Sequence, residues 1–505
     1  MEKYMLSIDQ GTTSSRAMIF RKDGTCVASA QEAFTQHFPK PGWVEHDPED
    51  LWQTVCNCIR QALAKANIKP GEIMGIGITN QRETTILWEK NTGRPVYHAI
   101  VWQCRRTAPL VEKMKEADPD FANKILEKTG LVPDAYFSAT KIQWILEEVP
   151  GLKARAGRGE ILFGTVDSWI LYRLTDGRSH ATDYSNASRT MLFNIQNLAW
   201  DEELCQYFHI PSCMLPKALP GASEFGYVAP GIPGLEAIAG VGIYGILGDQ
   251  PAALFGQTCF AKGDIKNTYG TGCFTLMNVG EEPIVSKQGL VTSAAWSIDG
   301  HTTYALEGSV FNGGSTIQWL RDELKIIDHA SDCDVLAETV EDNAGVYLVP
   351  AFSGLGAPYW DMYARGAILG LTRGTTKAHI ARAALEGIAY QVYDLVNLMQ
   401  EEAQCKITKL KVDGGASVSR FMMQFQSDIL GCEVDRAAER ETTSQGVAYL
   451  AGLCCGYWQD ISELSALRHC DVCFAPTMPE EQRKRLLTNW KKAVSRAAAW
   501  EEKST

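Results

Sequence analysis

The feature that most constrains the fold is a glycine turn between two apolar segments near the start of the chain. Residues 5–8 are apolar enough for a buried strand, and after a turn through Gly11 the chain resumes as a second apolar segment, residues 17–20. The turn carries four hydroxyl residues and one arginine: Thr12, Thr13, Ser14, Ser15 and Arg16. Free backbone N–H groups, hydroxyls and a guanidinium predict a phosphate site, where Asp9 would hold a shared cation. The alternative is an ordinary polar hairpin.

The same pattern returns in the second half of the chain. Residues 264–278 again form a strand, a glycine turn that contains Thr271, and a strand, while residues 410–416 end a strand in Asp-Gly-Gly-Ala. Two such hairpins and a later Asp-Gly-Gly turn resemble the duplicated nucleotide-binding architecture of actin, heat-shock chaperones and sugar kinases. The expected fold is α/β, a two-domain actin-like or ribonuclease H-like ATPase fold with a duplicated core and an interdomain catalytic cleft. We expect domains at 1–253 and 254–505.

Composition and charge exclude several classes of protein. A chain of 505 residues with 45% hydrophobic content can bury large cores, and its net charge of −12 argues against binding nucleic acid or an anionic membrane. Fifteen cysteines without framework spacing indicate reduced thiols. The longest apolar run, residues 237–255, is interrupted by glycines and by Asp249, so we expect no membrane insertion. Because the chain also begins directly with a strand, we expect a cytoplasmic protein.

Two helix starts can be placed from local signals. Asp47 before Pro48 is a plausible N-cap, with acidic residues in the first turn that follows. Ser138 is the expected cap of a helix that continues to about residue 146. Helices alternate with strands along the first half, as expected for α/β layers.

A second polar cluster stands where two strands end. Arg82 and Glu83 follow the apolar segment 73–78, and Trp102 ends the segment 99–102. Because open α/β sheets bind ligands beyond their strand ends, both groups could face one crevice. Arginine beside glutamate can donate to and accept from a polyhydroxylated ligand, although a surface ion pair is the simpler alternative.

Asp249 stands where an apolar segment ends in Gly248 and a helix starts near Pro251. A carboxylate at such a junction, among apolar neighbours, is suited to proton abstraction. It could equally cap the helix, and the two roles are compatible.

The chain resembles the FGGY family of carbohydrate kinases nearly from end to end. The Arg-Glu pair after Asn-Gln is typical of the members that act on glycerol rather than on pentuloses. The resemblance rests on these segments: 9–16, 80–85, 100–103, 183–189, 248–250, 267–274, 318–321, 370–374, 386–389 and 412–416.

The resemblance implies ATP-dependent transfer of the γ-phosphoryl group to a terminal hydroxyl of glycerol, giving sn-glycerol 3-phosphate and ADP. It implies that Asp249 is the general base and that Asp9 holds Mg²⁺ through water. The glycerol hydroxyls would be bound by Arg82, Glu83, Tyr136, Asp249 and Gln250, and the carbons would contact Trp102 and Phe274. The phosphates would be bound by Thr12, Thr13, Ser14, Arg16 and Thr271, and the adenosine by Gly314, Gln318, Gly415 and Ser419.

The chain departs from the family pattern at three places. Ser419-Arg420 stands where many members have Asn-Asn, so Ser419 would have to contact adenine in place of an asparagine. The loop 231–237 lacks the lysine of the fructose 1,6-bisphosphate loop found in some bacterial members, and no histidine lies between His209 and His301 for phosphorylation. We therefore expect neither form of regulation. The resemblance also implies a homodimer or a homotetramer.

Two rival functions stay open at this stage. One is a kinase of the same fold that acts on a tetritol, ribulose or xylulose. The other is an actin-like or chaperone-like ATPase, which would have no use for Arg82 and Glu83 beside Trp102.

Overall fold

The structure is a computed structural model and describes residues 2–439 and 441–502. Residues up to 256 form strands β1 (Tyr4–Gln10), β2 (Ser14–Phe20), β3 (Cys26–Ala33), β4 (Glu45–His46), β5 (Ile73–Asn80), β6 (Ile86–Glu89), β7 (Ala99–Ile100), β8 (Ile161–Gly164), β9 (Ala181–Asp183), β10 (Phe193–Asn194), β11 (Ala199–Trp200), β12 (Lys217–Leu219), β13 (Ala222–Tyr227) and β14 (Gly242–Gly248). Their helices are α1 (Pro48–Lys65), α2 (Ala108–Ala117), α3 (Phe121–Thr129), α4 (Ser138–Glu148), α5 (Leu152–Gly157), α6 (Val166–Leu174), α7 (Tyr184–Ala187), α8 (Glu202–Tyr207) and α9 (Asp249–Gly256).

The following residues form a second set of elements. The strands are β15 (Ile265–Tyr269), β16 (Cys273–Gly280), β17 (Val291–Ile298), β18 (His301–Val310), β19 (Tyr347–Val349), β20 (Ala367–Leu369), β21 (Lys409–Asp413), β22 (Glu433–Ala437) and β23 (Cys470–Phe474). The helices are α10 (Gly314–Asp322), α11 (Asp332–Glu338), α12 (Lys377–Ala403), α13 (Arg420–Leu430), α14 (Thr442–Cys454), α15 (Ile461–Leu467) and α16 (Glu480–Ala497).

The molecule is built on two large sheets with helices packed against them. This arrangement confirms the expected α/β fold with a duplicated core. The first has six strands in the order β13-β14-β5-β1-β2-β3, and the second has seven in the order β17-β18-β16-β15-β21-β22-β23. In each sheet a glycine hairpin is followed by parallel neighbours: β1 pairs with β5, and β15 pairs with β21. The strands are mostly buried on both faces, so their apolar runs are nearly continuous.

Register brings the polar strand ends of the first sheet together. Gln10 is the partner of Asn80 across β1 and β5, and Asn80 is in turn the partner of Gly248 across β5 and β14. Residues that follow these three strands, among them Arg82 and Asp249, therefore meet at one edge. Trp102 lies close to the same edge, since its backbone N–H donates to Thr84 Oγ1 at 3.3 Å, and the ligand crevice there stays a prediction.

The two predicted helix starts have different outcomes. Asp47 caps α1 as expected, because its Oδ1 accepts a hydrogen bond of 2.9 Å from the backbone N–H of Glu49. The prediction for Ser138 is wrong: it is the first residue of α4, and its hydroxyl donates to the backbone carbonyl of Glu83 at 3.0 Å. A tertiary contact has replaced the local cap.

Helices α9 and α14 cross closely between the two sheets. A Cβ atom on Gly446 would overlap the carbonyl oxygen of Ala252, and one on Gly256 would overlap that of Thr442. Although it comes late in the chain, α14 packs on β1, β5 and β14 of the first sheet. The division at 253/254 stays a proposal, and it assigns this helix to the second domain.

Within residues 2–439 and 441–502, no helix combines the length and the apolar character that crossing a membrane requires.

Candidate functional site

The first glycine hairpin lies at the edge where the first sheet faces the second. The backbone N–H of Gly11 donates to the carbonyl of Ser14 at 2.9 Å. Three of the four hydroxyls of the turn have partners: Thr12 Oγ1 accepts from Trp102 Nε1 at 3.0 Å, Ser14 Oγ accepts from Gln31 Nε2 at 2.8 Å, and Ser15 Oγ shares a hydrogen bond of 2.8 Å with Thr54 Oγ1. The side chain of Thr13 is exposed. The hairpin is thus held at its base, with donors left at its tip.

Arg16 and Asp9 face each other across this hairpin as register partners. The Arg16 guanidinium pairs with Glu441, in the loop before α14, and donates to Gln31 at 3.0 Å. Burial raises the pKa of Asp9 to about 6, although Arg16 and a 3.0 Å hydrogen bond from Ser444 act in the opposite direction.

Asp9 suits a hydrated cation better than a bare one. The described part of the chain contains no group of three or more His, Cys, Asp or Glu side chains that could hold a metal ion. Mg²⁺ commonly keeps several waters and is bound through one or two carboxylates together with substrate phosphates. The nearby charge of Asp249 also raises the pKa of Asp9, so a cation between them would relieve their repulsion. The residues present fit Mg²⁺ carried by a phosphate ligand.

Four alternating charges form a buried cluster between the two halves of the molecule, and we call this cluster the buried ion network: Arg82, Glu307, Arg189 and Glu83. Arg82 donates from Nη1 and Nη2 to the two oxygens of Glu307, both at 2.7 Å. Arg189 donates from Nε to Glu83 at 2.6 Å and from Nη2 to Glu307 at 3.4 Å. Each of the four side chains is at most 2% exposed. Because Glu307 lies on β18 and the others precede α9, the network joins both halves of the molecule.

Charge pairing overcomes burial within this network at Glu307. Burial by itself would raise the pKa of Glu307, but Arg189 and Arg82 lower it to about 2. At Glu83 burial prevails, so the pKa is raised despite Arg189 and Arg82. Buried carboxylates are stable only when such partners and hydrogen bonds compensate their lost hydration.

The backbone of Glu83 is held in an unusual conformation. Its φ is +60°, which is uncommon for a residue with a side chain. The Glu83 carbonyl accepts from Ser138 Oγ at 3.0 Å and from Lys141 Nζ at 3.5 Å, and Lys141 also donates to the carbonyl of Tyr136. Burial lowers the pKa of the Lys141 ammonium to about 7. Glu83 and Tyr136, which are both predicted to bind glycerol hydroxyls, thus have backbone carbonyls that accept from the same buried lysine.

Asp249 and Gln250 occupy the start of α9. The N-cap residue is Gly248, and Asp249 is the first helical residue, so the second of its two predicted roles, that of cap, does not apply. Its Oδ1 accepts from the backbone N–H of Gln250 at 2.7 Å. Arg82 Nε lies 3.1 Å from the same oxygen, but its N–H is not directed there and has no hydrogen-bond partner among the described residues. The Asp249 side chain is 33% exposed and accessible from the cleft.

Aromatic rings form one wall beside these charges. The rings of Trp102 and Tyr136 meet edge to face with centroids 5.6 Å apart, and the Arg189 guanidinium lies 5.4 Å from the Tyr136 ring. Phe274, on β16, is the register partner of Thr268 in the second hairpin. An apolar wall beside charged donors suits a small ligand with short carbon segments and several hydroxyls.

Two glycine turns, one in the second hairpin and one at the start of α10, approach each other at the edge of the second sheet. The carbonyl of Thr271 accepts from Gly313 N at 2.8 Å, and Gly314 N, at the start of α10, donates to the carbonyl of Gly270, also at 2.8 Å. A Cβ on Gly314 would lie 2.7 Å from that carbonyl oxygen, so the close approach requires glycine.

The other predicted adenosine residues surround this approach. Gln318 is exposed one turn further along α10, and Gly415 is exposed with no atom near its missing side chain. Ser419 has a structural role: its Oγ accepts from Met422 N at 3.0 Å, as the cap of α13, and donates to Asp334 at 2.5 Å. With its one hydrogen used, Ser419 could only accept from a further group.

Two residues that the sequence reasoning missed are central to this geometry: Arg189 and Glu307. Arg189 follows α7 in the segment 183–189, whose role the residues alone do not reveal. Glu307 interrupts the otherwise uncharged and mostly buried strand β18, and an isolated charge within an apolar segment is the signal that could have drawn attention to it.

Comparison with protein families identifies both halves of the chain. Residues 4–256 match the N-terminal domain, and residues 265–455 the C-terminal domain, of the FGGY family of carbohydrate kinases. The chain is 56% identical over 501 residues to "Glycerol kinase 2" of Thermotoga maritima, covering 99% of this chain and 100% of the relative. It is also 56% identical over 502 residues to "Glycerol kinase" of Clostridium beijerinckii, with the same coverage.

Solved structures of the same kind superpose on nearly the whole chain. Plasmodium falciparum glycerol kinase with ADP has a TM-score of 0.93 and 37% identity, covering 98% of each chain. Gluconate kinase from Lactobacillus acidophilus has a TM-score of 0.89, with 99% of each chain covered, and shares the fold at 24% identity.

Proposed function

The chain belongs to the FGGY family of carbohydrate kinases, and on that premise we propose that it transfers the γ-phosphoryl group of ATP to a terminal hydroxyl of glycerol. The products are sn-glycerol 3-phosphate and ADP. Relatives that bear the name glycerol kinase, at 54–56% identity over nearly the whole chain, support this substrate. In the proposed division of labour, residues 1–253 bind glycerol and phosphate, and residues 254–505 bind ATP.

One geometric observation carries the proposal for the acceptor. Arg82 is 2% exposed, both its terminal nitrogens are held by Glu307, and its Nε–H is left without an acceptor beside Asp249. A buried N–H without a partner costs about 1–3 kcal/mol. A glycerol hydroxyl placed beside this pair would accept from the Arg82 Nε–H and donate to the Asp249 carboxylate. Glu83, Tyr136 and Gln250 would bind the remaining hydroxyls, and Trp102 and Phe274 would pack on the carbons.

Asp249 is the proposed general base. It would receive the proton of the attacking hydroxyl as the bond to phosphorus forms. The Gln250 backbone N–H, 2.7 Å from Asp249 Oδ1, holds the carboxylate at the helix start, so its orientation is set before the acceptor arrives. Because Asp249 is the first residue of α9 and its side chain is partly exposed, the carboxylate stays accessible to the glycerol hydroxyl.

Phosphoryl transfer has a loose transition state, so the protein mainly aligns reactants and balances charge. Thr12, Thr13, Ser14 and Arg16 would hold the phosphates from the first hairpin, and Thr271 from the second. When bound, Mg²⁺ would neutralise phosphate charge, with Asp9 as its water-mediated ligand. Gly314, Gln318 and Gly415 would line the adenosine pocket, and Ser419 would contact adenine as an acceptor.

Closure of the cleft serves chemistry as well as binding. Closure around a bound polyol would exclude water, which is the competing phosphoryl acceptor. Closure would therefore favour transfer to the polyol over ATP hydrolysis.

The test measures ADP release with Mg²⁺-ATP in the absence and presence of glycerol, erythritol, dihydroxyacetone, ribulose or xylulose. Strong stimulation by glycerol at low concentration is expected. Arg82→Met should remove that stimulation, whereas Arg321→Met, at a surface arginine paired with Asp322, should retain it. ADP release that does not depend on any polyol would overturn the proposal in favour of an actin-like ATPase. A preference for ribulose or xylulose would mean that the substrate is a pentulose and not glycerol.

A further inference from the structure

A buried lysine links the two halves of the cleft at the level of the proposed base. Lys266, on β15, is fully buried. Its Nζ donates to Gln250 Oε1 at 2.6 Å and to Thr268 Oγ1 at 2.8 Å. Gln250 stands at the start of α9, and Thr268 lies on the strand that enters the second glycine hairpin. One ammonium group therefore connects the acceptor side of the cleft to the phosphate side.

This contact determines which end of the Gln250 amide faces Asp249. An ammonium can only donate hydrogen bonds, so the amide oxygen must point to Lys266 and the NH₂ group must point away from it. The NH₂ nitrogen lies 3.4 Å from Asp249 Oδ2, while the Gln250 backbone N–H donates to Oδ1 at 2.7 Å. Both oxygens of the carboxylate thus face donors from one residue. Without the lysine the amide could turn and present its oxygen to Asp249.

The carboxylates around Lys266 stabilise its charged form. Burial lowers the pKa of the ammonium, the carboxylates of Asp413, Asp249 and Glu307 raise it, and the Arg82 guanidinium lowers it further. These three carboxylates outnumber the one ammonium and one guanidinium, so removal of the lysine would leave the carboxylates still less compensated.

We propose that Lys266 is a positioning residue for the phosphoryl transfer, acting through the Gln250 amide to orient the Asp249 carboxylate. This inference rests on the proposed function. Lys266 belongs to the second half of the chain, so the orientation of the base is complete only when β15 lies against the start of α9. The lysine thereby couples the alignment of the base to the position of the phosphate hairpin.

A neighbouring lysine provides a matched control. Lys411, on β21, is the register partner of Lys266, and its Nζ donates to the backbone carbonyls of Gln257 and Thr258 at 3.0 Å. It contacts the end of α9, while Lys266 contacts the start. The two lysines lie on paired strands and both contact α9 or the residues next to it, but Lys411 does not contact the side chains of the proposed site.

The experiment is a double-mutant cycle on glycerol-dependent ADP release, with kcat and KM measured separately. The variants are Lys266→Met, Gln250→Leu, the double variant, Lys266→Arg and Lys411→Met. We expect Lys266→Met to lower kcat/KM by roughly 10²-fold, mostly in kcat, and to change KM for ATP by less than about 3-fold. The double variant should be within about 3-fold of Gln250→Leu, because a residue acting through another adds little once that one is gone. Lys266→Arg should recover part of the loss, and Lys411→Met should change kcat by less than about 3-fold.

Several results would overturn the inference. Losses that multiply in the double variant would mean that Lys266 acts independently of Gln250. A lower melting temperature with unchanged kcat and KM would reduce Lys266 to a structural role. If Lys266→Met fails to fold, Lys266→Arg decides the question, since a loss of kcat that is as large in the Gln250→Leu background as in the wild-type background would mean that Lys266 acts independently of Gln250. Absence of polyol-dependent turnover in the wild type would instead refute the proposed function.

Discussion

The two carboxylate oxygens of Glu307 each accept a hydrogen bond of 2.7 Å from a terminal nitrogen of Arg82. Glu307 lies on β18 in the second sheet, and Arg82 follows β5 in the first, so this bidentate pair crosses the cleft. Paired oxygens and nitrogens of this kind fix the plane of a guanidinium as well as its position. The direction of the remaining Arg82 Nε–H therefore depends on how the two halves of the molecule are docked. Docking of the two halves and orientation of the Arg82 Nε–H toward the proposed glycerol site would therefore occur together.

Glu307→Gln should weaken both the fold and the acceptor site. The substitution keeps the shape but leaves Arg82 and Arg189 with an excess of buried positive charge, which should cost about 3 kcal/mol in the free energy of unfolding. We expect kcat/KM for glycerol to fall by roughly 10²-fold because Arg82 is no longer fixed. Urea unfolding and steady-state kinetics measure the two effects. Glu281→Gln, at an exposed pair with His301, is the control and should cost less than about 1 kcal/mol. Equal effects at both positions would contradict this account.

Asp249→Asn should abolish turnover while ATP still binds. Asparagine keeps an oxygen that can accept the 2.7 Å hydrogen bond from Gln250 N, so the melting temperature should hardly change, but it cannot take up the hydroxyl proton. General-base catalysis contributes about 10²–10⁴-fold, and kcat should fall at least that far. Calorimetric titration with ATP and a coupled assay for ADP test the two halves of this prediction. Full glycerol-dependent turnover in the variant would remove Asp249 from the role of base.

Acidification should destabilise the protein partly through His46. This fully buried ring donates from Nε2 to Gln36 at 2.8 Å and accepts from Gln81 at 3.3 Å, which requires the neutral form. Burial, with a smaller effect of His37, lowers the pKa of His46 to about 3. The unfolded chain binds the extra proton below about pH 6.5, so the stability due to the neutral ring is present above that pH and lost as pH falls toward 3.

The loss from His46 amounts to about 2 kcal/mol at pH 5 relative to pH 7.5. Urea unfolding at the two pH values should show a difference smaller by that amount in His46→Gln, whose amide can still donate and accept. An unchanged difference would show that the ring is protonated in the folded state.

Gly446→Ala should be destabilising although alanine favours helices. The added methyl group would overlap the Ala252 carbonyl where α14 crosses α9, and overpacking of this kind costs about 1–3 kcal/mol. Gly157→Ala, at a helical glycine with no atom near the added methyl group, should leave stability unchanged or raise it by up to about 1 kcal/mol. Thermal unfolding of both variants provides the comparison. A stable Gly446→Ala protein with wild-type kinetics would mean that the two helices can separate without cost.

Local features could be predicted because they depend on residues close together in the chain. Apolar runs, glycine turns and the cap at Asp47 report backbone conformation over a few residues, and those elements are present as expected. Ser138 failed as a cap because its hydroxyl has a better partner, the Glu83 carbonyl, 55 positions away in the sequence. Local propensity is a weak determinant wherever a buried carbonyl needs a donor.

The sequence by itself determined the two glycine hairpins, the α/β layers, the family resemblance and the residues proposed to bind substrate. It could not decide whether Arg82 and Glu83 form a surface pair or a binding site. The tertiary structure excluded the surface pair by bringing Glu307, 225 positions from Arg82, and Arg189, 106 positions from Glu83, into one buried network. Sequence periodicity reports which face of an element is buried. Which charges meet there depends on the order and register of strands from both halves of the chain, and the low dielectric of the closed cleft makes that meeting strong.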